Sequence, residues 1–542
     1  MHHLSVRVRI FTALGYALPL GLFFYYLYKF AYNSPEADDY FAIFGFLNDF
    51  FAAKSWKEQF TVAFGLIGEH RIVFSRMLYL LTTWIDGEID LRAFIWIGNL
   101  VYLGLIPMLY LVFRPSPQRF VYFLPVPFLI LQQQYSEITF SAVCSTQHNV
   151  VFFFALLTVY SLHQPGKRAF LWACLGGLVA TFTNGNGFLA LLAGLGMLLF
   201  TQRWAKAGAW LVPLVVITAL YFIDFQGRGG DGALAYLLAN PLKVSAFSLK
   251  FIGSAANVGR WGYELSIVLG SLLALYFGSL LLGGYARKNP VLFGFLVFLA
   301  LTTVATALSR ASMGYAYRYN IYSAIFLVIF YISLFDIWPK KSTWIFWSGL
   351  TLSFLFWAFS YFDYTDFILT IRREKTANVY NLSVNGFGLM DRYYSGKYVN
   401  SGIHFKHDGL LRLAKSGYYH FPEPDLSRIK AALAQPRPSA QPLLTATLVG
   451  RELSVASTSY FQPTEETWIT LQQGDRIYLL TAAQHKNRFL AFLQSGQYVG
   501  PQVTSTLFPN SLPPGQYRLG VLARAGSGFT HQDGGITQEI PQ

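Results

Sequence analysis

Eleven stretches of this chain are almost wholly apolar, with at most one charged residue each: 10–28, 91–113, 120–131, 150–162, 169–182, 187–200, 207–225, 265–285, 291–308, 321–338 and 343–362. A helix needs roughly 20 apolar residues to cross the hydrocarbon of a bilayer. Repeated through two thirds of the chain, this pattern predicts a mainly α, polytopic membrane bundle of about eleven transmembrane helices. Three of the segments, 120–131, 150–162 and 169–182, are short. They must borrow flanking Gln, Ser, Thr and Asn residues or be partly re-entrant. Only 13% of the 542 residues are charged, against about 25% in a soluble domain. The two cysteines, Cys144 and Cys174, lie in or beside apolar spans, which argues against a disulfide framework or a structural zinc site. The first span is uncharged, long for a signal-peptide core and lacks a small-x-small cleavage site, so it reads as an uncleaved helix.

Charge placement predicts the orientation. With a cytoplasmic N-terminus, the inner segments carry Arg7 and Arg9, Arg114 and Arg119, Lys167 and Arg168, Arg203 and Lys206, Arg287 and Lys288, then Lys340 and Lys341. These loops are short, basic and free of acid, the positive-inside pattern of a cytoplasmic membrane protein. The net charge of +14 accordingly points to lipid or phosphate and not to nucleic acid. The outer segments are longer and carry both signs of charge, so the chemistry is expected on the extracytoplasmic face.

The expected layout is a transmembrane catalytic domain over 1–362 with a first outer loop at 32–90, a connecting segment over 363–434 and a β-rich domain over 435–542. In the first outer loop, 41–51 and 59–84 read as amphipathic interfacial helices, with Glu69 and Arg76 on one face. After the Pro-rich linker at 435–442, short alternating runs separated by Gly, Pro, Asn and Asp read as a small extracytoplasmic β-sandwich or barrel.

Asp38 and Asp39 follow the first span directly. Adjacent carboxylates there can take the proton of an acceptor hydroxyl or hold a divalent cation through oxygen ligands. They equally fit a solvated helix start near Tyr40. Glu69-His70-Arg71 with Arg76 offers planar guanidinium forks for phosphate, or a plain ion pair. Arg228, Arg260, Arg310 and Arg318 supply further outer-loop cations, the first inside a Gly-rich turn and the last beside Tyr317. Glu137, Gln147 and His148, with Glu69, His70 and Tyr317, are the groups suited to sugar hydroxyls. Satisfied helix ends and interfacial anchors explain the same residues. Asn184-Gly-Asn-Gly187 reads as a tight turn. No phosphate-binding P-loop and no His-Glu-x-x-His zinc helix occurs. The inner loops are too short for a nucleotide-binding domain.

A first helix, an acidic pair in the first outer loop, interfacial helices bearing Glu-His-Arg and many further spans together resemble the GT-C superfamily of membrane glycosyltransferases, over roughly residues 1–420. The resemblance implies an inverting transfer from a polyprenyl-phosphate-linked sugar to a glycan, lipid or protein acceptor. Asp38 or Asp39 would be the base, outer-loop arginines would hold the donor phosphate, and no cofactor would be needed beyond an optional divalent cation. No Trp-Trp-Asp acceptor signature is present, which counts against peptide glycosylation. A transporter or flippase for a lipid-linked glycan, and a polymerase or ligase using a diphosphate-linked donor, are the competing readings. Charges gathered at span ends disfavour transport.

Overall fold

The structure, a computed structural model, describes residues 6–114, 119–225, 230–394, 397–402, 408–450, 452–461 and 464–541. It is mainly helical with a C-terminal β region, and it divides into two compact units. One contains Asp49–Leu81 and Ala93–Phe362 together with the N-terminal helix. The other contains Tyr32–Asn48, Thr82–Arg92 and Asp363–Gln542.

Among the described residues, eight helices are long and apolar enough to cross a membrane: Val6–Phe30, Leu91–Val112, Ala142–His163, Trp204–Tyr221, Gly262–Leu282, Pro290–Arg310, Tyr317–Ile337 and Pro339–Asn385. The other expected spans are too short. Arg119–Ile130 and Leu189–Phe200 are apolar but brief, and Lys167–Thr181 has only 15 residues. At 1.5 Å per residue such a helix covers about 22 Å, less than a hydrocarbon core of about 30 Å. The segment at 150–162 reaches full length by running back through the polar π-helical turn Ser145–Asn149. Thr146 anchors that turn: its carbonyl accepts from Ser75 Oγ at 3.1 Å and its hydroxyl meets Tyr79 at 2.8 Å.

The segment 32–90, expected as the first outer loop, does not behave as one piece. Its ends, Tyr32–Asn48 and Thr82–Arg92, cluster with the C-terminal unit. The expected helix over 59–84 is broken into Trp56–Phe64 and Val73–Asp86. Between them Ile67 and His70 pair across a turn with Gly68 at φ +56°, a backbone shape glycine adopts without strain. Glu69 therefore lies off the helix that carries Arg76, and the two do not share a helical face. The segment 41–51 is a π-helix, Tyr40–Gly45, continued by an α-helix, Phe46–Ala52.

Among the described residues of the second unit, nine strands form two sheets: β1 Leu389–Tyr394, β2 Lys397–Gly402, β3 Leu444–Val449, β4 Glu452–Ser457, β5 Thr467–Gln473, β6 Arg476–Thr481, β7 Thr504–Leu507, β8 Gly515–Ala525 and β9 Gly528–Ile540. The orders are β1-β2-β7-β4-β3 and β6-β5-β8-β9. Two of these strands come from what the sequence reads as a connecting segment, so the β region starts well before residue 435. β2 joins β7 in parallel through Asn400 and Leu507. The buried Asn400 side chain fixes the junction, donating to Thr481 O and Thr506 O at 3.1 Å while accepting from Thr481 N at 2.9 Å.

Strand alternation builds two cores from one sheet. Ile469, Leu471, Leu480, Leu519 and Val521 meet Leu444, Leu453, Val455 and Leu507 between the sheets. The residues pointing the other way, Trp468, Leu479 and Leu522, pack on Ala377 and Tyr380 of the helix Ser342–Asn385 and on Leu426, Ile429 and Leu433. Trp468 is fully buried and its indole N–H donates to Arg373 O at 2.8 Å. Beside it Arg372 and Arg524 share Asp425 and Glu466 as partners, and the Arg372 guanidinium lies 3.5 Å from the Tyr32 ring centre.

Candidate functional site

In the first unit, six of the sequence-nominated polar residues converge where apolar helices end. The turn 69–71 sends three consecutive side chains to three places. Glu69 pairs with Arg310, at the end of Pro290–Arg310, at 3.1 Å. His70 comes against Gly185, where a Cβ would stand 2.4 Å from the imidazole Nδ1. Arg71 lies on the wall of an apolar groove.

Glu137, in the short helix Ser136–Thr139, grips Arg318 twice. Its Oε1 accepts from the guanidinium at 2.8 Å and its Oε2 from the Arg318 backbone N–H at 3.1 Å. His148, on the π-helical turn, lies within electrostatic reach of both Arg318 and His70. A π-turn adds a residue to the helical repeat, which re-aims the side chains of Gln147 and His148 relative to the α-helix that follows. Gln147 is buried and Tyr317 is exposed. Glu69, His70, Glu137, His148, Arg310 and Arg318 thus form one linked cluster. Its two ion pairs are each about one quarter to one third exposed.

The sequence reading passed over two members, Asn184 and Asn186. Asn184 Nδ2 lies 3.3 Å from His148 Nδ1, while Asn186 Nδ2 donates to Tyr322 Oη at 3.1 Å and to Thr302 Oγ1 at 3.3 Å. Their turn closes with Gly187 N–H donating to Asn184 O at 2.8 Å. Gly187 is required there, because a Cβ would meet Ala180 O at 1.7 Å. The Asn-Gly-Asn-Gly run was legible as a turn. What the two asparagines touch depends on residues 36 to 136 positions away.

Arg71 and Arg76 bind carbonyls of their own fold. Arg71 donates Nε–H to Tyr221 O at 3.0 Å and its two other nitrogens to Phe64 O and Ile223 O. Three of its five N–H groups are thereby engaged. Arg76 donates to Val62 O and Ala63 O at 3.0 Å and to Gly65 O. Both arginines therefore cap the C-terminal carbonyls of Trp56–Phe64, where cations complement the helix dipole. Burial pushes the Arg76 guanidinium down to about 10, with Tyr79 opposing and Arg71 reinforcing the shift, so it is charged at neutral pH. The Arg71 groove has a volume of about 680 Å³, with walls from Phe60, Phe64, Phe74, Phe182, Leu220 and Ile223. Arg228 and the Arg260 side chain lie outside the described residues.

No protein-family model, no curated protein and no solved structure matches this chain.

Asp38 and Asp39 belong to the second unit. Asn33 ties their loop down, accepting from Leu91 N at 3.0 Å while its carbonyl accepts from Tyr419 Oη at 2.8 Å. Ala37 at φ +40° turns the chain. The two carboxylates then part company. Asp39 is buried and its Oδ2 accepts from Glu36 N–H at 3.1 Å. Asp38 is exposed, and its carbonyl accepts from Ala42 N at 2.8 Å, opening the π-helix. Glu36 pairs with Lys375 at 3.4 Å. Burial, then the nearby Glu374, Asp39 and Glu36, raise the pKa of the Tyr40 hydroxyl between them.

Proposed function

We propose that the chain is a membrane glycosyltransferase that moves a sugar from a polyprenyl-phosphate donor to a glycan or lipid acceptor at the extracytoplasmic face, with inversion at the anomeric carbon. The observation that carries the reading is the turn 69–71. It joins an acid–arginine–histidine cluster to an apolar groove through adjacent residues. A polyprenyl phosphate has the same two parts, an apolar chain and an anionic head, and arginine forks suit phosphate oxygens. The hydroxyls and amides of Gln147, Asn184 and Tyr322 are of the kind that read sugar hydroxyls.

In this scheme the acceptor hydroxyl gives its proton to a carboxylate base as its oxygen attacks C1. The bond from C1 to the phosphate oxygen breaks, and its electron pair leaves with the phosphate. The resemblance offers Asp38 or Asp39 as that base; Asp38 is exposed, whereas Asp39 is buried and already accepts the Glu36 N–H. Arg310 or Arg318 steadies the departing phosphate, as preorganised cations do for developing charge.

The test uses the full chain in liposomes with a panel of radiolabelled polyprenyl-phosphate sugars. Label appearing on an acceptor, and lost in Asp38→Asn with folding intact, supports the reading. Wild-type turnover in Asp38→Asn, Asp39→Asn and the double variant removes the carboxylate base. Lipid that crosses the bilayer with its sugar still attached makes the chain a flippase.

A further inference from the structure

The second unit contains an exposed apolar helix that the transfer scheme does not use. Between β6 and β7 the chain leaves the sheet and forms Phe489–Ser495. Leu490 is 72% exposed and Leu493 62%, with Phe489 at 54%. Its flanks hold it rigidly. Asn487 N–H donates to Tyr498 O at 2.7 Å, Gly500 N–H donates to His485 O at 2.8 Å, and the Asn487 side chain donates to Gln497 O and Val499 O. Gly496, at φ +68°, closes the helix C-terminus. The excursion from 484 to 503 carries Lys486 and Arg488 and no acidic residue.

Both flanks are fastened to one place. Lys486 Nζ donates to the Asp363 carboxylate at 2.6 Å and to Asp363 O at 2.8 Å, and Tyr498 Oη accepts from Asp366 N–H at 2.8 Å. Asp363 is the first charged residue after the uncharged stretch 342–362 of the helix Ser342–Asn385. The apolar part of that stretch, 343–362, rises about 30 Å, matching the hydrocarbon thickness. Asp363 is thus the first charge beyond a stretch long enough to span, and the excursion is fastened to that residue.

We propose that Phe489–Ser495 is an interfacial membrane anchor that sinks Leu490 and Leu493 into the boundary between headgroups and acyl chains, with Arg488 facing lipid phosphates. Short apolar helices flanked by basic residues bind anionic bilayer surfaces in this way. The anchor holds the β unit against the bilayer independently of any sugar chemistry.

The test places a spin label at Leu490→Cys or Leu493→Cys in full-length protein lacking Cys144 and Cys174. The protein sits in phosphatidylglycerol-containing nanodiscs, and Val449→Cys, at a β-hairpin tip with 70% exposure, serves as the comparison. Collision with apolar oxygen relative to the water-soluble chelate nickel ethylenediaminediacetate is expected to be roughly fivefold higher at 490 and 493 than at 449. All three sites are exposed, so labelling leaves the cores intact, and elution as the wild-type species verifies this. A ratio equal to that at 449 overturns the proposal. So does protection from both reagents, which would put a protein surface or a second copy against the helix.

Discussion

The Glu137–Arg318 pair gives the sharpest test, because removing either partner should shift stability the same way and ligand binding in opposite ways. The two contacts, 2.8 and 3.1 Å, tie the end of Ser136–Thr139 to the turn Tyr317–Tyr319. The side chains are 36% and 27% exposed. Fully exposed pairs contribute about 0.2–1 kcal/mol, and breaking a buried one costs about 3–5. With solvent screening at this exposure, Glu137→Gln and Arg318→Gln should each cost about 1–2 kcal/mol. Measured by hydrogen exchange, that is a rise of roughly five- to thirtyfold in local opening at 136–139 and 317–320. The shared pair makes the double variant cost less than the sum of the singles. Affinity for an anionic probe, farnesyl phosphate detected by native mass spectrometry, separates the roles. Arg318→Gln removes a charge-assisted bond of about 1.5–3 kcal/mol, a loss of roughly ten- to a hundredfold. Glu137→Gln releases the guanidinium and should tighten binding. If both variants bind the probe within about twofold of wild type, under 0.5 kcal/mol, Arg318 is a structural residue and the phosphate role fails.

Three further outcomes follow from single contacts. Gly185→Ala sets a methyl 2.4 Å from His70 Nδ1, so His70 must move; a cost of about 1–3 kcal/mol and reduced transfer are expected, and wild-type activity would detach His70 from the site. Arg76→Met leaves the carbonyls of residues 62, 63 and 65 without their donor, so Trp56–Phe64 should exchange faster from its C-terminal end, while equal rates along the helix would contradict the capping role. His531 Nε2 lies 3.0 Å from Thr470 Oγ1, and burial lowers its pKa, partly offset by Asp533. The unfolded chain therefore binds the proton first as pH falls below about 6.5, and the β unit loses stability on the acid side. Protection of β8 and β9 peptides, with exchange corrected for the intrinsic rate at each pH, should fall between about pH 7 and 5 in wild type and much less in His531→Gln.

Much of the first unit was written in hydropathy. Eight of the eleven expected spans have the required length, seven of them through a local apolar run and 150–162 only with the polar turn before it. Where the run was short, as in Lys167–Thr181 and Leu189–Phe200, composition could not decide between crossing and re-entry. At Ser145–Asn149 and at 65–72 the run turns polar, which shows a change of character but not whether the backbone becomes a π-turn or a break. Candidate site residues were legible as types, since a charged or amide group at a helix end in an apolar setting stands out. Their pairing was not.

Residue order alone settled what must be apolar, where charge gathers, and that β structure follows the last span. Tertiary structure decided that Glu69 meets Arg310 across 241 positions and Glu137 meets Arg318 across 181. It also decided that Arg71 and Arg76 cap a helix, that Asp39 is buried while Asp38 is exposed, and that β2 pairs with a strand about a hundred residues away. The division has a physical cause. Burial of apolar surface is non-directional and roughly additive along a chain, so it can be summed from sequence. A hydrogen bond or ion pair exists only at one distance and angle, and that geometry is supplied by elements that meet after folding.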